Sequence, residues 1–289
     1  MLPVISKRIK GIVLDGSGTL VDPGVYAPAV VFKEIFKNKG INISMEEARK
    51  PMGNHKKVHI QKILEDKNVA HRWYTKFGFN PNPKDVDELF EQFKPLQLQV
   101  LEKYGTPIPC AFDVCKTLID KDIKLGFSTG FTREMVDTIL TLNPELNDIL
   151  HTTIAADEVT IARPAPFMVY KNMMNMEIMD PDSIIKVDDT EMGVKEGDYA
   201  GCWSVGITKY SNLMSMTEDE VEEFILMEPE EYIRKTKEIS HKFYDSGAHF
   251  VIETIQELPL IVDYINYNLH HGMFPRQGGS RHFKNYNIL

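Results

Sequence analysis

The run Ile9-Lys10-Gly11-Ile12-Val13-Leu14, closed by Asp15-Gly16-Ser17-Gly18-Thr19, constrains this chain most. A short apolar run bounded by glycines reads as a strand. It carries Asp15 to the strand's carboxyl end, and Gly16 and Gly18 let the chain turn sharply there. Backbone N–H groups in such a turn can approach an anion. A carboxylate held in that position can act as a nucleophile toward phosphorus.

Further strand-like runs lie at Ile123–Ser128, Ile149–Ala155, Ser183–Val187, Cys202–Ile207 and His249–Ile252, with helix-like segments between most of them. That alternation predicts an α/β fold, a Rossmann-like doubly wound parallel sheet with helices on both faces. The rhythm breaks after the first strand, where a long helical stretch is inserted. We expect a core from residues 1–24 and 105–267 and a helical cap from 25–104, large enough to cover the sheet's carboxyl edge, where ligands of such folds bind. Residues 268–289, rich in Gly and polar side chains, read as a flexible tail.

Composition narrows the class. The net charge of −9 argues against nucleic acid as a partner, although a site for a small anion needs only local positive charge. No apolar run approaches the roughly 18–20 residues of a membrane span. The opening Met1–Ser6 is too short for the apolar region of a signal peptide. Three cysteines, Cys110, Cys115 and Cys202, form no ligand pattern and cannot all pair, which suits a reducing cytoplasm.

Ser44-Met45-Glu46-Glu47 reads as a capping box starting a helix that Pro51 and Gly53 cut short. A second helix from near Gly53 to Leu64 puts Lys56, His59 and Ile60 on one face and turns Lys57 away. Taken alone, Lys56 reads as a solvated lysine and His59 as an ordinary polar residue. Thr217-Glu218-Asp219-Glu220 is another capping box, and the acidic run from Glu218 to Glu231 is most simply a solvated helix face. At other strand ends stand Ser128-Thr129-Gly130, suited to a phosphoryl oxygen, and Asp188-Asp189, suited to a divalent cation. Arg163, in Ala162-Arg163-Pro164-Ala165-Pro166, could pair with a phosphonate or phosphate. Each of these is weak alone; their order along the chain makes them a set.

The order Asp15, Thr129, Arg163, Asp189 resembles the four-motif layout of the haloacid dehalogenase superfamily, and the insertion resembles its type 1 helical cap. Within it, Glu46-Glu47-Ala48-Arg49-Lys50-Pro51-Met52-Gly53 with Lys56 and His59, Thr129-Gly130-Phe131-Thr132-Arg133-Glu134-Met135 and Gly247-Ala248-His249-Phe250 resemble the phosphonatase family. The resemblance implies hydrolysis of the carbon–phosphorus bond of phosphonoacetaldehyde to acetaldehyde and phosphate. Asp15 would attack phosphorus, Lys56 would form an imine with the aldehyde, and His59 would take part in proton transfer. Met52, Thr129, Gly130 and Arg163 would contact substrate. Mg²⁺ would be held by Asp15, the Ser17 carbonyl and Asp189, and two copies would pair through their caps.

The chemistry fits that resemblance. Superfamily phosphatases usually carry an acid two residues after the nucleophile; here Ser17 stands there. Expelling carbon needs no protonated alkoxide but does need an electron sink, and a protonated imine is a good one. The rival expectations are a Mg²⁺-dependent phosphatase of small phosphate esters and a non-catalytic binding module on the same fold. The chain departs from the phosphonatase pattern at Gly16, Ser17, Asn54, His55 and Phe131. In the fourth motif it has Asp188-Asp189 and then Gly193, where the family usually has Gly-Asp followed by Asp.

Overall fold

The computed structural model describes residues 7–275. At its centre lies β1 (Gly11–Leu14), whose four residues are all buried. Burial on both faces is why this strand is continuously apolar rather than alternating. The remaining strands are β2 (Lys124–Thr129), β3 (Thr152–Ala155), β4 (Ile184–Asp188), β5 (Trp203–Ile207) and β6 (Phe250–Ile252). All pairings are parallel, in the order β3-β2-β1-β4-β5-β6. Gly11 is in register with Lys124 on one side and Ile184 on the other. Each sequence-expected strand is present, trimmed by up to three residues at its start.

The strand order turns back between β1 and β4, so the carboxyl ends of these two strands flank the crevice where α/β proteins bind ligands. Helices α6 (Ala111–Asp120), α7 (Arg133–Leu142), α8 (Pro144–Ile149), α9 (Phe167–Asn175), α10 (Glu191–Ala200), α11 (Glu218–Met227), α12 (Pro229–Asp245) and α13 (Leu258–His270) join or follow the strands. The two sides of β1 show the layering. Ile12 and Leu14 belong to the large core, whereas Val13 packs with Val169 and Met173 of α9. Asn268 and Leu269 are buried within α13. The helix therefore runs past the boundary expected for a tail at 268, and the rest of that tail, 276–289, lies outside the described residues.

Between β1 and β2 stand α1 (Tyr26–Asn38), α2 (Met45–Arg49), α3 (Lys56–Glu65), α4 (Lys67–Phe77) and α5 (Pro83–Tyr104). Ser44 and Glu47 close the capping box that starts α2, as expected from sequence. The insertion has its own core: Phe32 stacks on Phe93 at 4.7 Å and on His59 at 3.9 Å. Its two connections touch each other, with Asp22 N donating to Thr106 O at 2.9 Å and Ile108 N to Leu20 O at 2.9 Å. The entry connection is unusual. Asp22, Gly24 and Val25 all have left-handed φ, at 55°, 74° and 56°. For a β-branched residue such as Val25 that is a strained conformation.

Candidate active site

Asp15 leaves β1 with its N–H bonded to Val187 O at 3.1 Å, and the chain then folds over Gly16, whose carbonyl accepts from Thr19, Leu20 and Val21. Gly18 is required where it stands: φ is +83°, and a Cβ there would lie 2.3 Å from Asp189 Oδ2. At Gly16 a Cβ would lie 2.9 Å from the ring of Phe127, which fills the space beside the turn.

The neighbouring strand ends supply the other groups. Thr129 closes β2, Asp188 closes β4, and Asp189 and Thr190 follow. Thr129, Asp189 and Thr190, together with Asp15, Ser17, Arg163, Met52 and Lys56, surround one small cavity of about 20 Å³, room for about one water; Asp188 is not part of its lining. The insertion presses directly on the sheet. A Cβ at Gly130 would lie 2.7 Å from Asn54 O, and one at Gly53 would lie 2.6 Å from Thr190 Oγ1. Glycine at both positions lets the 51–54 loop lie against the strand ends.

Lys56 opens α3 and is 4% exposed. Its Nζ lies 4.6 Å over the Phe131 ring. Burial lowers its pKa to about 8; Asp15 opposes the shift and the Arg163 cation adds to it. Lys57, one residue on, points outward and pairs with Asp87 at 2.5 Å. His59 is buried behind Lys56. Its Nε2 lies 2.8 Å from Ala48 O, so Nε2 carries the proton and Nδ1 is left as an acceptor without a hydrogen-bond partner. Burial and then the Lys56 charge hold its pKa well below the ordinary value, so the ring is neutral. His59 does not line the cavity.

Arg163 is locked in carboxylates. Its Nη2 is 2.7 Å from Asp15 Oδ1 and 3.2 Å from Asp188 Oδ2, and its Nε is 3.0 Å from Glu196 Oε2. The same Nη2 donates to Ser128 O at 2.7 Å. Burial disfavours the cation, but Asp188, Asp15 and Glu196 outweigh that and raise its pKa. Lys186, fully buried in β4, pairs with Asp188 at 2.6 Å. Burial pushes Asp188 up, yet Arg163 and Lys186 outweigh it and hold this carboxyl below its ordinary value. Asp189 behaves oppositely: burial, Asp15 and Asp188 push its pKa well up.

The carboxylates of Asp15, Asp188 and Asp189 offer oxygens within 4.8 Å of one another. Asp189 Oδ1 is buried with no hydrogen-bond partner. Hard oxygen donors, an orphaned buried carboxylate oxygen and crowded negative charge fit a divalent cation. Gly193 explains how Asp188 comes to be there. A Cβ at 193 would lie 1.8 Å from Asp188 Oδ2, so one space serves both positions.

Sequence reasoning singled out Asp15, Ser17, Met52, Lys56, His59, Thr129, Gly130, Arg163 and Asp189; the structure brings all of these around one cavity except His59, which is buried outside it. It missed Lys186 and Glu196, which neutralise Asp188 and Arg163. A lysine inside the apolar run Ile184–Val187 was the available signal for the first; nothing local marked the second.

A parallel sheet whose central strand ends in a buried aspartate, beside a second carboxylate pair and under a helical insertion, defines a class. The family model described as haloacid dehalogenase-like hydrolase matches residues 12–207, and the chain belongs to that family. Among curated relatives, the phosphonoacetaldehyde hydrolase of Bacillus cereus (strain G9842) is 38% identical over 261 residues, covering 89% of this chain and 97% of its own. The bifunctional phosphonoacetaldehyde hydrolase/aminoethylphosphonate transaminase of Clostridioides difficile (strain 630) is 41% identical over 258 residues. That match covers 89% of this chain and only 40% of the relative's length. A crystal structure of a phosphonoacetaldehyde hydrolase-like protein from Oleispira antarctica superposes with a TM-score of 0.89 at 30% identity, covering 93% and 97% of the two chains. Within the haloacid dehalogenase-like hydrolases, the chain thus falls in the phosphonoacetaldehyde hydrolase family.

Proposed function

We propose that this protein hydrolyses the carbon–phosphorus bond of phosphonoacetaldehyde, giving acetaldehyde and phosphate. One observation carries the reading: a buried lysine with its pKa lowered to about 8 shares a small cavity with a strand-end aspartate. A phosphatase of esters has no use for that amine. The 38% identical relative that carries the name over its whole length supports the same conclusion.

The reaction then runs as follows. The free amine of Lys56 adds to the aldehyde carbon, takes up one proton from solvent and expels water, leaving a protonated imine. An Asp15 oxygen attacks phosphorus, the carbon–phosphorus bond breaks, and its electron pair moves into the imine to give a neutral enamine. Carbon is protonated, water hydrolyses the imine, and acetaldehyde leaves. A second water cleaves the aspartyl-phosphate. Thr129 and Gly130 border the phosphoryl oxygens, and Arg163 meets them by loosening one of its carboxylate contacts. Met52 packs against the two-carbon unit. His59 serves proton transfer only indirectly, since it lies outside the cavity, three residues along α3 from Lys56, with an unpartnered Nδ1.

Asp15, the Ser17 carbonyl and Asp189 would hold Mg²⁺, with Asp188 the third carboxylate at hand. When bound, the ion supplies charge neutralisation at the attacked phosphoryl group. The insertion acts as a cap: a cavity of about 20 Å³ cannot take the substrate, so the cap must lift to admit it. Val58, Tyr74 and Phe79 leave apolar surface exposed on the cap, which suits a homodimer contacting there. No helix among the described residues is long and apolar enough to cross a membrane. Three free cysteines suit the cytoplasm.

The test is acetaldehyde and phosphate release from phosphonoacetaldehyde with Mg²⁺, compared with Lys56→Arg. Borohydride reduction should trap the substrate carbon on a peptide containing Lys56. Turnover by the arginine variant, or trapping elsewhere, would overturn the imine mechanism.

A further inference from the structure

Arg49, at the end of α2, is a buried cation, 4% exposed, with no salt bridge among the described residues; Asp22, Asp189 and Glu220 attract it only through space. Its Nη1 donates to Gly24 O at 2.6 Å and lies 3.3 Å from Asn212 Oδ1. Its guanidinium sits 4.9 Å over the ring of Tyr26. Gly24 belongs to the left-handed entry connection, and Tyr26 opens α1. Asn212 belongs to the core, in the loop after β5. It answers with its own amide, Nδ2 donating to Arg49 O at 3.4 Å, while its backbone N–H holds Asp189 Oδ2 at 2.8 Å. One cap side chain therefore grips the hinge carbonyl and the very residue that fixes a carboxylate of the site.

The strained hinge gives this grip a purpose. A Cβ at Gly24 would lie 1.9 Å from Met216 O, so the connection is pressed against the core as well as twisted. A conformation of that kind persists only where surrounding contacts over-determine it. Arg49 donates to the carbonyl in the middle of that stretch. Lifting the cap would break the donation and free Asn212 together.

We propose that Arg49, Gly24 and Asn212 form a clasp that holds the cap shut and, through Asn212, sets the position of Asp189. Arg49 is then a positioning residue for the reaction proposed above, on which its catalytic meaning rests. Closure and the arrangement of the acidic site become one event: when the cap is open Asp189 loses its orienting donor, and when the cap closes it regains it.

The test uses the full-length protein without substrate. Two quantities are read in wild type, Arg49→Met, Arg49→Lys and Asn212→Ala: amide hydrogen exchange across α3, and affinity for Mn²⁺ as the probe cation. Thermal unfolding serves as the control for gross damage. A hydrogen bond to a charged group is worth enough to shift an equilibrium by about tenfold or more. Arg49→Met should therefore speed exchange in α3 by about that factor and weaken Mn²⁺ binding several-fold. Arg49→Lys can reach Gly24 O but not Asn212 as well, so it should restore slow exchange while leaving Mn²⁺ weakly held. Asn212→Ala should weaken Mn²⁺ binding while its backbone N–H is still present, and it decides the question alone should Arg49→Met not fold. Unchanged exchange and unchanged Mn²⁺ affinity in folded variants would refute the clasp. Neither readout needs the substrate, so a failure to turn over phosphonoacetaldehyde would count against the proposed reaction and leave the clasp standing.

Discussion

Replacing Lys56 by methionine should abolish activity and make the protein more stable. In the folded state burial brings the amine from 10.5 to about 8, the attraction of Asp15, Asp22 and Asp189 notwithstanding. Below about pH 8 the fold thus carries a cation that it disfavours by about 3 kcal/mol relative to the unfolded chain. The direction follows from proton counting. Between about 8 and 10.5 the unfolded chain binds the proton that the folded one has released, so stability rises with pH across that window. The penalty is complete below it and gone above it. Methionine has similar length, fills the space and carries no charge. In urea unfolding at pH 7 with EDTA present, Lys56→Met should gain about 3 kcal/mol over wild type, with the gap shrinking as pH approaches 10.5. The same shift explains why the lysine is worth its cost. At pH 7.5 about a quarter of it is free amine, roughly 200-fold more than for an unshifted side chain. Acetaldehyde release should accordingly show an acid limb near pH 8 in wild type and vanish in the variant. A methionine variant less stable than wild type, or two stability curves that stay parallel across this pH range, would refute the reasoning.

Asp15→Asn should stop turnover while Lys56 can still be trapped by borohydride with the aldehyde, since imine formation does not use the carboxylate; loss of trapping would place Asp15 in the imine step. Gly193→Ala should destabilise by about 1–3 kcal/mol through overpacking, because its Cβ would meet Asp188 Oδ2 at 1.8 Å. Adding Asp188→Gly removes the clash but strips buried Arg163 and Lys186 of a counter-charge, so urea titrations should show the double variant still well below wild type. Asp189 is pushed well above the ordinary carboxyl range by burial, Asp15 and Asp188. Its contribution to metal-free stability is therefore full below the unfolded pKa and lost as pH rises through the folded one. Mg²⁺ should raise the Tm more at pH 8 than at pH 5, and an equal rise at both would contradict that account.

The sheet was legible because its strands are buried on both faces and so read as short apolar runs. Ile184–Val187 is the instructive case, since Lys186 interrupts the run without breaking the strand. Its charge is answered two residues on by Asp188, on the same side of the strand. The start of α2 was equally legible, because Ser44 and Glu47 satisfy each other locally. Lys56 was placed correctly on a face with His59 and Ile60, but no local pattern distinguishes a lysine facing water from one facing a small cavity. That difference comes from the 51–54 loop lying on Gly130 and Thr190, contacts made by residues distant in sequence. Arg163 illustrates the other limit. A guanidinium near a phosphoryl site was expected; its three carboxylate neighbours come from three separate segments. The roles of Arg49 and Asn212 were invisible for the same reason, as was that of Glu196.

The shared space of Asp188 and Gly193 restricts how such a site can change over time. Side chains at both positions collide, so a carboxylate cannot be gained at one before it is lost from the other. Any path that moves it from the helix to the strand end crosses a form with glycine at both, in which Arg163 and Lys186 have lost a counter-charge. That intermediate survives only if something else, such as a firmly bound cation partner or a weaker demand on activity, tolerates it. The two positions are therefore expected to vary as a pair among related chains. A search pattern that requires an acid at 193 would pass over proteins that keep the carboxylate in nearly the same volume by another route.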